Sequence, residues 1–266
     1  MKTLTLLCLF VLPGMLCMPG MLATDALAEE TRVTVRVLAN DAKLIGDVAG
    51  GCAITIRDAA SGAILASGQQ TGGTGDTDRI IREPWQRGDQ RFDTEGAAGW
   101  TTTLDLDQPT RVLVEARGPQ GFANSAYSAS RELLLLPGQH VEGNGVVLTL
   151  QGLIVNLQEP DPEDGLSSGE TITIEAGVKL LCTCPIEADS LWPAADYKVT
   201  AILLENGEPV ASTVLEITDR TNTFSGSIEV PVVAEEQTRI FELRINAANE
   251  AVGNYGSDAT VFRVSG

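Results

Sequence analysis

The chain has 266 residues, with 18 Lys and Arg against 36 Asp and Glu, for a formal net charge of −18. That balance disfavours nucleic acid and anionic lipid as partners, because both present negative phosphates. A hydrophobic content of 43% excludes a disordered acidic tail, and a single histidine, His140, removes metal sites and catalytic relays that need two imidazoles.

The N-terminus reads as an export signal. Met1-Lys2-Thr3 starts positive, and Leu4 to Leu16 is apolar apart from Thr5, Pro13 and Gly14. Ala26-Leu27-Ala28 then offers the small residues that a signal peptidase reads, so residues 1–28 are expected to be removed before Glu29. The apolar run is too short for a membrane span, and Pro-Gly interrupts it at 13–14 and 19–20. Cys8 and Cys17 both follow Leu, which does not suit a lipid anchor. The expected mature chain is periplasmic or extracellular, with no membrane span. It loses one Lys and one Asp, so 17 basic residues face 35 acidic ones and the charge stays at −18.

Alternating patterns dominate the rest. Thr34–Val37, Ala53–Arg57 and Arg111–Glu115 have period two, with β-branched residues on one face. Turn signals separate them at Asp58–Gly62, Gly118-Pro119 and Pro137-Gly138. Almost no segment keeps helical spacing over three turns. The expected fold class is all-β, with two β-sandwich domains at 29–151 and 152–266. The boundary region holds Glu159–Gly165, too rich in Pro and acid for regular structure. Seven strands are expected in the second half, near 152–157, 170–183, 197–204, 209–217, 223–230, 239–246 and 258–264.

Two resemblances follow from particular residues. Ala53–Gly68 reads as strand, Asp/Gly turn and strand, and resembles carboxypeptidase-regulatory or transthyretin-like domains. That resemblance implies a small sandwich used for stability or binding. Phe241–Gly256 followed by Ala259–Val264 resembles the last hairpin of bacterial Ig-like domains, with Gly253-Asn254 as the turn that needs positive φ. It implies a sandwich fold and almost nothing about function.

The long segment 69–99 departs from the transthyretin-like pattern, since connections beyond about 12–15 residues are uncommon in compact domains. It carries Arg79, Arg82, Arg87 and Arg91 among Glu83, Asp89, Asp93 and Glu95, around Trp85. Two readings stand. Arg79, Arg82, Trp85 and Arg87 form a surface for an anionic or aromatic partner group, or the loop is laced by its own Arg–carboxylate pairs with Trp85 plugged beneath it. Asp76 and Asp78 are oxygen donors suited to Ca²⁺, without a fuller ligand pattern. Gly72-Gly73-Thr74-Gly75 lacks the Lys-Ser/Thr ending of a phosphate loop.

Cys182-Thr183-Cys184 places two sulfurs on one side if the strand is extended. The readings are a disulfide from one of them to Cys52, buried thiols, or a soft-metal site of Cu(I) type. On an extended strand their Cα atoms would lie roughly 6.5–7 Å apart, at the edge of disulfide reach. Gly165–Gly169 matches G-x-S-x-G, but a strand follows it instead of a helix, and His140 is the sole candidate base. No nucleophile–base pair emerges, so the chain is expected to be a non-enzyme. It reads as an exported binding or structural module for a protein or an extracellular or periplasmic ligand. The alternative is a periplasmic copper-type protein using Cys182 and Cys184.

Overall fold

The computed structural model describes residues 28–163 and 165–266. The signal-peptide reading falls on residues outside that range, apart from Ala28.

Residues up to Leu150 pair only among themselves, in two antiparallel-rich sheets. One has the order β4 (Trp100–Leu106), β1 (Glu29–Ala39), β7 (Val141–Leu150). The other has the order β3 (Ile64–Gln70), β2 (Cys52–Asp58), β5 (Thr110–Gly118), β6 (Tyr127–Leu135). Alternation explains the layering. Val33, Val35 and Val37 of β1 point inward against Ile54 and Ile56 of β2 and Val112 and Val114 of β5, and all seven are buried. β1 and β7 run parallel, which sets Leu38 opposite Thr149.

Strand β4 leaves β1 after Val35, so the next backbone groups of β1 need other partners. The side chain of Gln70, fully buried at 0% exposure, supplies them. Its Oε1 accepts the Val37 N–H at 2.7 Å, and its Nε2 donates to the carbonyls of Val37 at 2.9 Å and Ile45 at 2.8 Å. One amide thus acts as a short piece of strand between the two sheets.

The strands from Leu153 onward form one continuous ladder of eight. Its order is β8 (Leu153–Glu159), β10 (Thr171–Leu180), β13 (Thr223–Glu229), β12 (Glu208–Ile217), β11 (Lys198–Glu205), β14 (Thr238–Asn249), β15 (Asn254–Ser265), β9 (Leu166–Ser167). Strand β12 pairs with β11 for most of its length and turns to β13 only at Glu216 and Ile217. The ladder thereby folds into two layers. Its other end closes where the Leu157 N–H donates to the Asp258 carboxylate at 2.9 Å. Phe224, Phe241 and Phe262 are the largest fully buried side chains, and Phe241 sits directly opposite Phe262. The extra strand β9 begins immediately after Glu159–Gly165, the stretch read as irregular. Asn254 does not share the turn with Gly253: the turn is Glu250–Gly253, with φ +71 at Gly253, and Asn254 is the first residue of β15.

That shift gives Asn254 another role. It is 1% exposed, and its Nδ2 donates to the Asn40 carbonyl at 3.1 Å. Its Oδ1 accepts from Asn40 Nδ2 at 3.1 Å and from the Gly152 N–H at 3.3 Å. Trp192 Nε1 donates to the Asp41 carbonyl at 2.7 Å, and the Tyr127 hydroxyl donates to the Tyr255 carbonyl at 2.9 Å. One buried apolar cluster runs through both halves. The two halves therefore meet through hydrogen bonds at two places, the turn at 40–41 and the Ser125–Tyr127 segment.

The cysteines differ from the expected arrangement. Strand β10 ends at Leu180, and Thr183 takes φ 61, so the chain turns between the sulfurs. The Cα atoms of Cys182 and Cys184 come to 5.4 Å, and these two are joined as a disulfide. Cys52 is a free, buried thiol, so the bond between halves expected from Cys52 is absent. Burial alone pushes its thiol up to about 12. A thiolate is the species that reacts with thiol reagents, so Cys52 is expected to be inert in the folded chain. Titration with a thiol reagent should find no thiol in the native mature protein and one after denaturation without reductant. Three after denaturation would contradict the disulfide.

Candidate ligand-binding cleft

The segment after β3 is a folded lobe, not slack chain. Its base is closed by a short ladder: the Gly99 N–H donates to the Thr71 carbonyl at 3.1 Å, the Ala98 N–H to Gly73 at 2.8 Å, and the Gly73 N–H to Gly96 at 2.7 Å. Gly72 has φ +121, and a Cβ there would sit 2.8 Å from the Ala98 Cα, so this approach requires glycine. One wide helical turn, Asp78–Arg82, follows, with the Asp76 carboxylate accepting the Arg79 N–H at 2.9 Å. Ile80, Phe92 and Ala98 bury themselves against Leu38 and Leu44, forming a small second core.

Two buried arginines pin the lobe. Arg36, on β1, donates to the carbonyls of Gly143 at 3.0 Å and Ala98 at 2.8 Å and to the Asp93 carboxylate at 2.6 Å. Burial pulls its pKa down and Asp93 opposes that, but a guanidinium stays charged in proteins. Arg91 is 3% exposed. It donates to the carbonyls of Arg79 at 2.5 Å and Glu83 at 2.8 Å and pairs with Asp89 at 3.4 Å. Asn144, at the start of β7, locks the lobe to the sheet. Its Oδ1 accepts the Phe92 N–H at 2.9 Å and its Nδ2 donates to the Asp89 carbonyl at 2.6 Å.

Trp85 is not plugged beneath this lobe. It stands 65% exposed at the rim. The Arg91 guanidinium lies 4.5 Å from its ring centroid, and Phe92 meets it edge-on at 5.7 Å. Between the lobe and the face of β1 and β7 lies a cleft of about 500 Å³. Its apolar wall is Leu38, Ile80, Ile81, Phe92 and Val147, with Trp85 at the rim, and its polar wall is Asn40, Asp41, Asn144 and Thr149. Among the described residues, Asp41 is the only charged one lining it. The amide of Asn144 is already spent on the lobe. The Asp41 carboxylate, the Asn40 Oδ1 and the Thr149 hydroxyl make no hydrogen bond among the described residues.

The residues singled out from sequence separate here. Trp85 lines this cleft. Arg79 lines a neighbouring hollow of about 300 Å³ with Arg91, Glu83 and Asp89. Arg82 pairs with Asp78 at 2.5 Å on the exposed side of the turn, and Arg87 lines neither space. Asp76 and Asp78 are engaged in the cap and in that ion pair. Cys182 and Cys184 lie in the other half, buried and joined, so no pair of thiolates is presented to a soft metal in this state. Among the described residues no group of three or more His, Cys, Asp or Glu has the geometry to hold a metal ion. His140 Nδ1 accepts the Arg32 N–H at 3.2 Å. In the G-x-S-x-G match the serine is Ser167, an exposed residue on β9, and its neighbour Ser168 holds its Oγ against Val233, accepting that N–H at 2.8 Å and donating to that carbonyl at 3.3 Å. Asn40, Asp41 and Thr149 carry no local sequence signal; only the parallel pairing of β1 with β7 brings them together, and Arg91, one of the loop's four arginines, is set apart from the others only by its burial.

Burial, and then the Asp196 carboxylate, push the Asp41 carboxyl above its ordinary range. A carboxyl raised in this way binds more protons folded than unfolded. Its stabilising share is complete below the unfolded value of about 3.9 and is lost as pH rises through the folded value. Asp41→Asn is therefore expected to melt higher than the parent at neutral pH and together with it in strong acid. Asn also tolerates the φ of 55 at this position. Thermal scans at the two pH values check this; a lower melting temperature at neutral pH would contradict it.

No family model matches the chain, and a search of curated proteins finds no match. Among solved structures, the major pilin subunit BcpA of Bacillus cereus aligns at 10% identity over 89% of this chain and 69% of that one, with a TM-score of 0.37. Fibronectin(III)-like modules of Clostridium thermocellum CbhA align at 10% identity over 90% and 86%, with a TM-score of 0.26. An engineered protein aligns at 15% identity and a TM-score of 0.26 over 49% of this chain, which spans 24% of that protein's length. Scores this low transfer neither function nor descent. The strand pairing itself makes this an all-β protein of β-sandwich class. Among the described residues no helix is long and apolar enough to cross a membrane.

Proposed function

We propose that this chain is an exported, non-catalytic binding module whose ligand sits in the cleft between the 71–99 lobe and the β1–β7 face. The observation that carries the reading is a solvent-exposed tryptophan held from behind by buried groups. Leaving an indole at the rim forgoes the gain of burying it, and fixing it with Arg91 and Phe92 removes the ordering cost that a mobile ring would pay on binding. A concave, largely apolar space with a few unpaired polar groups is the usual form of a small-ligand site. The export signal at 1–28 and the acidic surface suit a module working outside the cytoplasm.

Soaking crystals of the protein in a library of small fragments tests this reading. Fragments are expected to gather against Trp85, Asp41 and Thr149, and to vanish from that place in Trp85→Ala. Fragments that collect only elsewhere, such as the shallow hollow over Thr55 and Ser128, would contradict it. Export is tested separately by intact mass from the native host, where a chain beginning at Glu29 is expected and a retained Met1 would overturn the signal reading.

A further inference from the structure

We infer that the ligand of this cleft is a neutral carbohydrate chain, one sugar ring of which stacks on Trp85; the inference rests on the cleft being the binding site. Charge narrows the field first. Asp41 is the one charged group among the described residues lining the cleft and the chain carries a net −18, so an anionic ligand is repelled both locally and at long range. A cationic ligand would be drawn to Asp41 but repelled at the indole. Arg91 already lies over the ring at 4.5 Å and does not line the cleft, so its charge sits on the side away from the ligand. A second cation on the cleft side would face a like charge across the ring, and the cation–π attraction is already committed.

A neutral ring escapes both penalties. The face of a sugar presents C–H groups, which suit the flat indole and the apolar Ile81 and Val147 that line the same cleft. Its edge presents hydroxyl donors. The cleft's uncommitted polar groups are acceptors or hydroxyl: the Asp41 carboxylate, the Asn40 Oδ1 and the Thr149 hydroxyl. Hydroxyl donors to a carboxylate are the stronger kind of hydrogen bond. A purely apolar ligand would cover these three groups without pairing them, at a desolvation cost. A space of about 500 Å³ is of small-ligand size, and the rim position of Trp85 lets a chain continue into solvent.

The test is a titration of the purified protein followed by nuclear magnetic resonance of the Trp85 indole N–H, assigned by its loss in Trp85→Phe. The probes are neutral tetrasaccharides of glucose, xylose and N-acetylglucosamine, with tri-lysine, tri-glutamate and a small aromatic fragment as comparison. At least one tetrasaccharide is expected to shift the resonance saturably, and tri-lysine and tri-glutamate are not. Trp85→Ala should weaken saccharide binding at least about ten-fold, the equivalent of about 1.4 kcal/mol. Trp85→Phe should keep part of the affinity, and Asp41→Ala should weaken it with Trp85 intact. Trp85→Phe keeps a ring against Arg91 and Phe92 and should melt close to the parent, so its partial loss of affinity is read free of any loss of folding. If the saccharides leave the indole untouched while tri-lysine or the aromatic fragment shifts it, the ligand class is wrong and the cleft reading stands. If no probe shifts it, both fall.

Discussion

Gln70→Leu is expected to lower the stability of the protein by about 2–6 kcal/mol, among the largest effects of any single polar substitution in the chain. The substitution keeps volume and apolar fit, so the loss would come from hydrogen bonding. The Val37 carbonyl retains the Ile45 N–H as a donor at 3.0 Å. The Val37 N–H and the Ile45 carbonyl lose their partner while still buried, and each such orphan costs about 1–3 kcal/mol. Gln70→Glu should be nearly as harmful, since a carboxylate can accept from Val37 but cannot donate to the two carbonyls. Chemical denaturation measures both. A Leu variant within experimental error of the parent would show that Gln70 is not the missing piece of strand.

Trp192→Ala is the second large effect, at about 3–5 kcal/mol for removing a buried aromatic ring. Its consequence should be more specific than a lower midpoint. The indole N–H is one of the bonds that hold the C-terminal half to the turn at 40–41, and the apolar core is continuous across the two halves. The parent is therefore expected to unfold in one cooperative transition. In Trp192→Ala the halves should begin to melt separately, giving two calorimetric transitions or a calorimetric enthalpy above the van't Hoff value. Trp192→Phe retains much of the packing and loses the bond to Asp41, so it should fall between. The same junction forms one end of the cleft, so loosening it should also weaken any ligand that touches Asp41. If Trp192→Ala and parent both unfold in a single transition, the halves are coupled by other contacts.

What the sequence reveals depends on whether the signal is local. The strands at 198–205, 208–217 and 223–229 could be read within a residue or two because each alternates against one buried face. Tyr127–Leu135 is harder to see. It is a sheet edge that pairs only with β5, little of it is buried, and its sequence ends in three consecutive leucines without alternation. The Cys182–Cys184 bond was hidden by a single backbone angle, since the positive φ at Thr183 falls on a residue that does not signal a turn. In the 71–99 lobe, Arg79, Arg82, Arg87 and Arg91 are alike in sequence. Only the fold decides that Arg91 is buried against three partners while Arg82 pairs at the surface. Trp85 was visible as a candidate because a tryptophan in a polar loop is unusual. Its counterparts Asn40 and Asp41, in the turn that follows β1, and Thr149, on β7, are brought together by a parallel pairing that no local pattern announces.

A rigid Trp85 is what makes the cleft a site, so the 71–99 lobe must be as well folded as the sandwich that carries it. Amide hydrogen exchange on the free protein measures this directly. The amides of Gly73, Phe92, Ala98 and Gly99 each donate to a named acceptor within the lobe, its base or Asn144. They are expected to exchange as slowly as those of β1 and β7, within about ten-fold, as members of one cooperative unit. Exchange of these four amides at the rate of free peptide, with β1 and β7 protected, would contradict the account.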